Sequence, residues 1–250
     1  LAALAIAGFE PLELLRDGKP ARLPENFYSS EFLVDRMIDY LGEDDGGEGG
    51  EGGQPFFAYL AFQAIHIPVQ APREFTARYA DTYADGWEAL REARLQKART
   101  LGLVPADANG AAMPGGLRRW DSLTPDEQAL QARSMAVNAG MLDAMDHHIG
   151  RLIAHLKSTG RFDNTIFIVS SDNGPEPSDP LAARSMSAWL ALNGYERDPA
   201  TFGERGSYVF IGPEWAWAAA SPSDLFKFYT TEGGLRAPLI VAGPGIPTGR

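Results

Sequence analysis

A chain of 250 residues, 44% apolar and 10% aromatic, is long enough to bury a sizeable core within one large domain or part of one. Its 33 acidic against 22 basic residues give a formal charge of −11, and no basic stripe is present, which argues against nucleic-acid binding. Cysteine is absent, so disulfides, thiolate metal sites and a Cys nucleophile within the chain are excluded, and no apolar run approaches membrane-spanning length.

Leu1–Gly8 is small and apolar, but no basic segment precedes it, so it reads poorly as a signal peptide. The chain starts on Leu and stops directly after a strand-like run, which predicts an internal fragment of a longer protein. Turn signals cluster at Arg16-Asp17-Gly18-Lys19-Pro20. Ser29 to Leu41 predicts a helix with Phe32, Leu33, Met37, Ile38, Tyr40 and Leu41 on a largely apolar face. Residues 42–54 are almost entirely Gly and acid, the composition of a flexible solvated loop.

Pro55–Phe62, PFFAYLAF, reads as a buried strand, and His66 follows just past its carboxyl end. Such a histidine is either a core residue satisfied by a backbone carbonyl, or a proton donor or anion ligand; position alone leaves the two even. Phe75–Gly102 is helical in pattern, followed by a Gly-rich break at Gly110–Gly116. Thr124-Pro125-Asp126-Glu127 is a capping box that opens a long helix to about Ser158, with Gly160 as its stop. Its small and apolar stripe, Ala136, Gly140, Met141, Ala144, Met145, Ile149, Leu152 and Leu156, predicts packing against a sheet. His147, His148 and His155 on this helix read as surface or helix-edge residues. His148 and His155 stand about two turns apart, too far for one ion.

Asn164–Gly174, NTIFIVSSDNG, is the stretch around which the chain is organised. Ile166-Phe167-Ile168-Val169 predicts a strand buried on both faces, as in a parallel sheet covered by helices. With the strand before it and the long helix between, it forms a β-α-β sequence whose crossover should be right-handed. Ligands of open α/β sheets sit beyond the carboxyl ends of the strands, where Asp172 and Asn173 lie. A carboxylate beside an amide oxygen suits a hard cation, although Asp-Asn-Gly is also an ordinary tight turn. Residues 176–224 read as irregular, and Trp189, Tyr195, Tyr208, Trp215 and Trp217 either wall a pocket or fill a loop-rich layer, packing being the commoner use. Lys227 precedes Gly233-Gly234, which mark special φ/ψ or close backbone approach, and a last strand at Ala237–Ala242.

Four segments, 55–72, 138–174, 206–227 and 225–245, taken in this order, resemble the arylsulfatase family of the alkaline phosphatase superfamily. The resemblance implies an α/β fold with a mostly parallel central sheet flanked by helices, alkaline-phosphatase-like and incomplete here, the whole of 1–250 forming part of one catalytic domain. It implies that Asp172 and Asn173 are metal ligands and that His66 and Lys227 contact the sulfate group. The implied metal is Ca²⁺, with Mg²⁺ as the alternative, and the implied nucleophile is a formylglycine from a C/S-x-P-x-R motif upstream. No Cys and no Ser-x-Pro-x-Arg occurs in this chain. Asn138 departs from the aromatic residue expected there.

The expected activity is hydrolysis of small-molecule sulfate esters, and the chain alone is expected to be inactive. The alternatives are a phosphomonoester, phosphodiester or phosphonate hydrolase of the same superfamily, or a non-catalytic anion-binding relative. The resemblance also suggests a periplasmic or secreted location and leaves the oligomeric state open.

Overall fold

The computed structural model describes residues 15–16, 18–43, 55–196 and 198–249. The segment Leu1–Gly8 and the Gly/acid stretch from 44 to 54 lie outside them. Strands β1 (Leu15–Arg16) and β2 (Lys19–Pro20) form a short antiparallel hairpin at the predicted turn, where Gly18 has a φ of 72°.

Helix α1 (Ser29–Glu43) extends two residues beyond the predicted end. Val34 and Leu41 are buried and Met37 and Ile38 partly so, the one-face spacing of an amphipathic helix. They pack on Leu152 and Leu156 of the long helix α4 (Pro125–Ser158). Its 34 residues make it about 51 Å long. Both ends of α4 are set by local chemistry. The Thr124 hydroxyl accepts from the Glu127 amide at 3.3 Å, and the Glu127 carboxylate accepts from the Thr124 amide at 2.8 Å. At the other end Gly160 has a φ of 70°, its amide reaches the Lys157 carbonyl at 3.2 Å, and Arg161 N–H reaches the Leu156 carbonyl at 2.8 Å. That is the Schellman arrangement, which satisfies carbonyls the helix leaves open.

Helix α4 touches three separate cores. Leu152 and Leu156 meet α1, with Phe56, Leu60, Phe62, Phe162 and Phe167 alongside. Val137 and Met141 meet Val69, Ala71, Phe202 and Val209. Met135 meets an aromatic cluster in which Trp87, Trp120, Trp215 and Tyr83 pack edge-to-face. Helix α3 (Gly86–Thr100) supplies Trp87 and helix α6 (Gly212–Ala219) supplies Trp215, while Tyr83 and Trp120 come from the segments outside them. The predicted helix over Phe75–Gly102 is two pieces, α2 (Arg73–Thr76) and α3. Gly140 lets α2 settle on α4, since a methyl there would lie 2.8 Å from the Thr76 amide nitrogen.

Residues 176–224, read as irregular from the sequence, contain α6 and a further helix over 184–192, and three other expectations also need correction. The predicted parallel sheet is not observed among the described residues. Strand β3 (Phe167–Ser170) pairs antiparallel with β4 (Leu239–Ala242), Phe167 opposite Ala242 and Ser170 opposite Leu239. Ile168, Val169, Leu239 and Ile240 are exposed, so this pair is not buried on both faces. An apolar run signals a strand, but burial also needs neighbours: Phe167 packs on the α1–α4 core, whereas none of the described residues covers the exposed positions. Pro55–Phe62 pairs with no strand among the described residues, so the β-α-β unit is not formed there. Its side chains alternate: Phe56, Leu60 and Phe62 pack toward α1 and α4, whereas Phe57 and Tyr59 are 94% and 80% exposed. Finally, His148 is buried rather than at the surface, with only 6% exposed. Its Nδ1 accepts from Arg151 at 3.1 Å, and Arg151 also donates to Asp35 of α1 at 2.7 Å. Helix α5 (Arg184–Leu192) and the one-turn helix α7 (Glu232–Leu235) complete the chain.

Candidate active site

Strand β3 ends at Ser170, and the turn Ser171-Asp172-Asn173-Gly174 leaves it. The Ser171 hydroxyl donates to the Asn173 carbonyl at 2.9 Å, and the Ser170 hydroxyl donates to the Pro238 carbonyl at 3.2 Å. These bonds tie the turn to itself and to the segment entering β4. No hydrogen bond or ion pair among the described residues engages the side chains of Asp172 or Asn173.

The Lys227 segment is stitched to this turn at three points. Gly174 N–H donates to the Gly234 carbonyl at 3.0 Å, Lys227 N–H donates to the Pro175 carbonyl at 3.1 Å, and Lys227 Nζ lies 2.6 Å from Glu176 Oε2. Contact this close between two backbones requires glycine. A methyl on Gly174 would sit 1.8 Å from the Gly233 carbonyl oxygen, and one on Gly233 or Gly234 would sit 2.1 Å from another carbonyl oxygen. None of the three has a positive φ, so the Gly233-Gly234 signal meant close approach. Leu225 and Phe228, near Lys227 on either side, have φ values of 55° and 78°, a left-handed conformation that costs a side chain about 1–2 kcal/mol. The loop holds them there with bonds to the Asp224 carbonyl from Gly233 N–H at 3.0 Å and from the Thr231 hydroxyl at 2.7 Å.

Glu176 was not singled out in the sequence. Its Oε1 accepts from the Ser178 amide at 3.1 Å and from the Ser178 hydroxyl, while Oε2 takes Lys227. Burial raises its pKa, but the hydrogen bonds from Lys227 and Ser178 outweigh that and hold the carboxyl below its ordinary value. Upstream of Lys227, buried Arg91 donates to the carbonyls of Trp217 at 2.6 Å, Ser223 at 2.9 Å and Ala111 at 3.2 Å, and stacks on Trp217. This fixes the approach to the Lys227 loop, and nothing in local sequence pattern announces it.

His66 is exposed. Its Nδ1 lies 2.7 Å from the carbonyl oxygen of Ile67, so Nδ1 carries the proton in that bond and Nε2 is not engaged by it. His66, Asp172, Asn173, Glu176 and Lys227 all line one cleft of about 4600 Å³. Pockets for small molecules hold about 300–1,000 Å³, so this is a broad open groove rather than a closed pocket. Of the aromatics in 176–224, Trp189, Tyr195 and Tyr208 are half-buried and line the cleft in edge-to-face and stacked contact. Trp215 and Trp217 belong to the core.

The paired oxygens of Asp172 and Asn173 are hard donors of the type a divalent cation takes, and both side chains are uncommitted. Two ligands fill only part of the six to eight positions around Ca²⁺. Among the described residues no group of three or more acidic or His side chains forms a metal site.

The family model described as Sulfatase matches residues 6–249. The chain belongs to the sulfatase family. An uncharacterized sulfatase of Schizosaccharomyces pombe is 40% identical to this sulfatase chain over 221 residues, which cover 88% of the chain and 39% of that protein. An arylsulfatase of Klebsiella aerogenes is 33% identical over 234 residues, covering 92% of the chain and 48% of that protein. The sulfatase chain therefore spans less than half the length of these relatives. The crystal structure of Ps i-CgsB in complex with k-i-k-neocarrahexaose overlays with a TM-score of 0.49 at 20% identity, over 94% of this chain and 32% of that one.

Proposed function

We propose that the protein carrying this chain hydrolyses sulfate esters of small molecules in the manner of an arylsulfatase. The observation that carries the reading is the three-point junction between the Asp172-Asn173 turn and the Lys227 segment, inside a cleft that His66 also lines. In this reading Lys227 and His66 contact the sulfate group, and Asp172 and Asn173 hold part of the shell of a divalent cation, Ca²⁺ or Mg²⁺. When bound, that cation neutralises charge on the sulfuryl oxygens.

The chemistry demands such a site. Cleavage of a sulfate ester builds negative charge on the departing oxygen and on the sulfuryl oxygens. Donors fixed in place beforehand stabilise that charge without reorganising during the reaction. Lys227 brings an ammonium whose stem is held at both ends, by its amide on Pro175 and its Nζ on Glu176. His66 brings a ring oriented by its bond to the Ile67 carbonyl, with Nε2 free of that bond. These residues form the electrophilic half of a site. The family's formylglycine arises from a Cys or Ser in C/S-x-P-x-R, and this chain contains no such motif.

The test uses the full-length protein, expressed with a formylglycine-generating enzyme. Turnover of 4-nitrophenyl sulfate is compared with 4-nitrophenyl phosphate, with and without chelator, for wild type and Lys227→Ala. The expected result is a preference for sulfate, lost on chelation, and a sharply reduced but measurable sulfate turnover in Lys227→Ala. A preference for phosphate would move the substrate class, and no turnover of either ester would leave an anion-binding role.

A further inference from the structure

We infer that Glu176 is a positioning residue for Lys227, holding the ammonium where it meets the sulfate group; this rests on the reading of Lys227 as a sulfate contact. Lysine is a point charge on a flexible four-carbon stem, and its reach into an open cleft is many conformations wide. Here a carboxylate 2.6 Å away restrains the ammonium. That carboxylate is itself fixed. Ser178 occupies Oε1 with both its amide and its hydroxyl, leaving Oε2 directed at Nζ. Glu176 follows Pro175, whose carbonyl takes the Lys227 amide, so main chain and side chain of Lys227 are gripped by two adjacent residues.

The pair is also sheltered. The Glu176 and Lys227 side chains are 11% and 20% exposed, which separates them from the solvent-screened pairs elsewhere on the chain, such as Arg236–Glu232 at 74% and 66%. An ammonium has three N–H donors. One is spent on Glu176, leaving two for sulfuryl oxygens, and both partners line the cleft. Because the pair is neutral overall, its contribution to anion binding is geometric rather than a gain in field. A carboxylate present only to hold the fold would give a different pattern on mutation.

The experiment measures kcat and KM for 4-nitrophenyl sulfate in the full-length, formylglycine-loaded protein for wild type, Glu176→Gln, Glu176→Asp, Lys227→Ala and the Glu176→Gln/Lys227→Ala double variant, with unfolding midpoints alongside. Loss of a charge-assisted partner should lower kcat/KM by about tenfold or more in Glu176→Gln, and Glu176→Asp should recover part of the loss. In the Lys227→Ala background Glu176→Gln should cost nothing further, because its effect passes through the lysine. Wild-type kcat/KM in Glu176→Gln overturns the proposal, as does an equal loss with and without Lys227. If Lys227→Ala itself retains wild-type kcat/KM, the sulfate-contact reading falls first and this proposal with it. Should Glu176→Gln fail to fold, Glu176→Asp still decides, since a shorter carboxylate that folds normally must show a kcat/KM deficit that vanishes without Lys227.

Discussion

Gly174 and Gly234 face each other across the junction between the strand-end turn and the lysine loop, the amide of one donating to the carbonyl of the other at 3.0 Å. A side chain cannot enter this contact, because a Cβ on Gly174 would lie 1.8 Å from the Gly233 carbonyl oxygen. Gly174→Ala is therefore expected to cost about 1–3 kcal/mol of stability or to spread the two loops apart. In the full-length protein, turnover of 4-nitrophenyl sulfate should fall by more than the stability loss explains. Normal activity with an unchanged unfolding midpoint would show that the junction tolerates a methyl.

Divalent cation should stabilise the full-length protein through Asp172. Cation at a hundredfold excess over its dissociation constant contributes about 2.7 kcal/mol. Chelation should lower the unfolding midpoint of wild type and leave that of Asp172→Ala unmoved. An equal response in both would place the ligands elsewhere.

Buried His148 makes the α1–α4 contact sensitive to acid. Burial lowers its pKa below the ordinary 6.5, with Arg151 and His147 acting in the same direction and Glu31 and Asp35 opposing. A group whose folded-state value is depressed stabilises the fold above its unfolded value, and that stability is lost as pH falls through the folded value. The unfolding midpoint should thus decline below about pH 6.5, and the decline should be shallower in His148→Gln. Parallel pH profiles in the two proteins would remove His148 as the cause.

Trp215 and Trp189 should separate core from cleft. Trp215 is fully buried, packs edge-to-face on Trp87 and Trp120, and donates its indole N–H to the Gln131 carbonyl at 3.0 Å. Trp215→Ala is expected to cost about 3–5 kcal/mol in denaturant unfolding. Trp189 is half-buried on the cleft wall, so Trp189→Ala should cost clearly less. Equal costs would place Trp189 in the core as well.

The 250-residue chain by itself should show no hydrolysis of 4-nitrophenyl sulfate, since it contains neither Cys nor Ser-x-Pro-x-Arg from which a formylglycine nucleophile arises. Metal-dependent turnover above the uncatalysed rate would mean that another nucleophile acts.

What the sequence determined by itself is what neighbouring residues decide among themselves. Thr124, Pro125, Glu127 and Gly160 fix where α4 starts and stops, because capping chemistry acts within one turn. The apolar run before Asp172 and the Asn-Gly after it place a strand end and a turn there for the same local reason. The sulfatase motifs could likewise be read as short segments.

The tertiary structure decided what depends on residues distant in the chain. A buried-looking strand had to find a partner, and β3 found β4 in antiparallel register while Pro55–Phe62 found none among the described residues. His148 became buried because α1 covers its face of α4 and brings Asp35 to Arg151. Glu176 resembled any surface acid until Lys227 arrived 2.6 Å away across a glycine-lined contact. Hydrophobic periodicity and caps carry no information on which charge meets which, since that pairing is set by the packing of two loops and not by either alone.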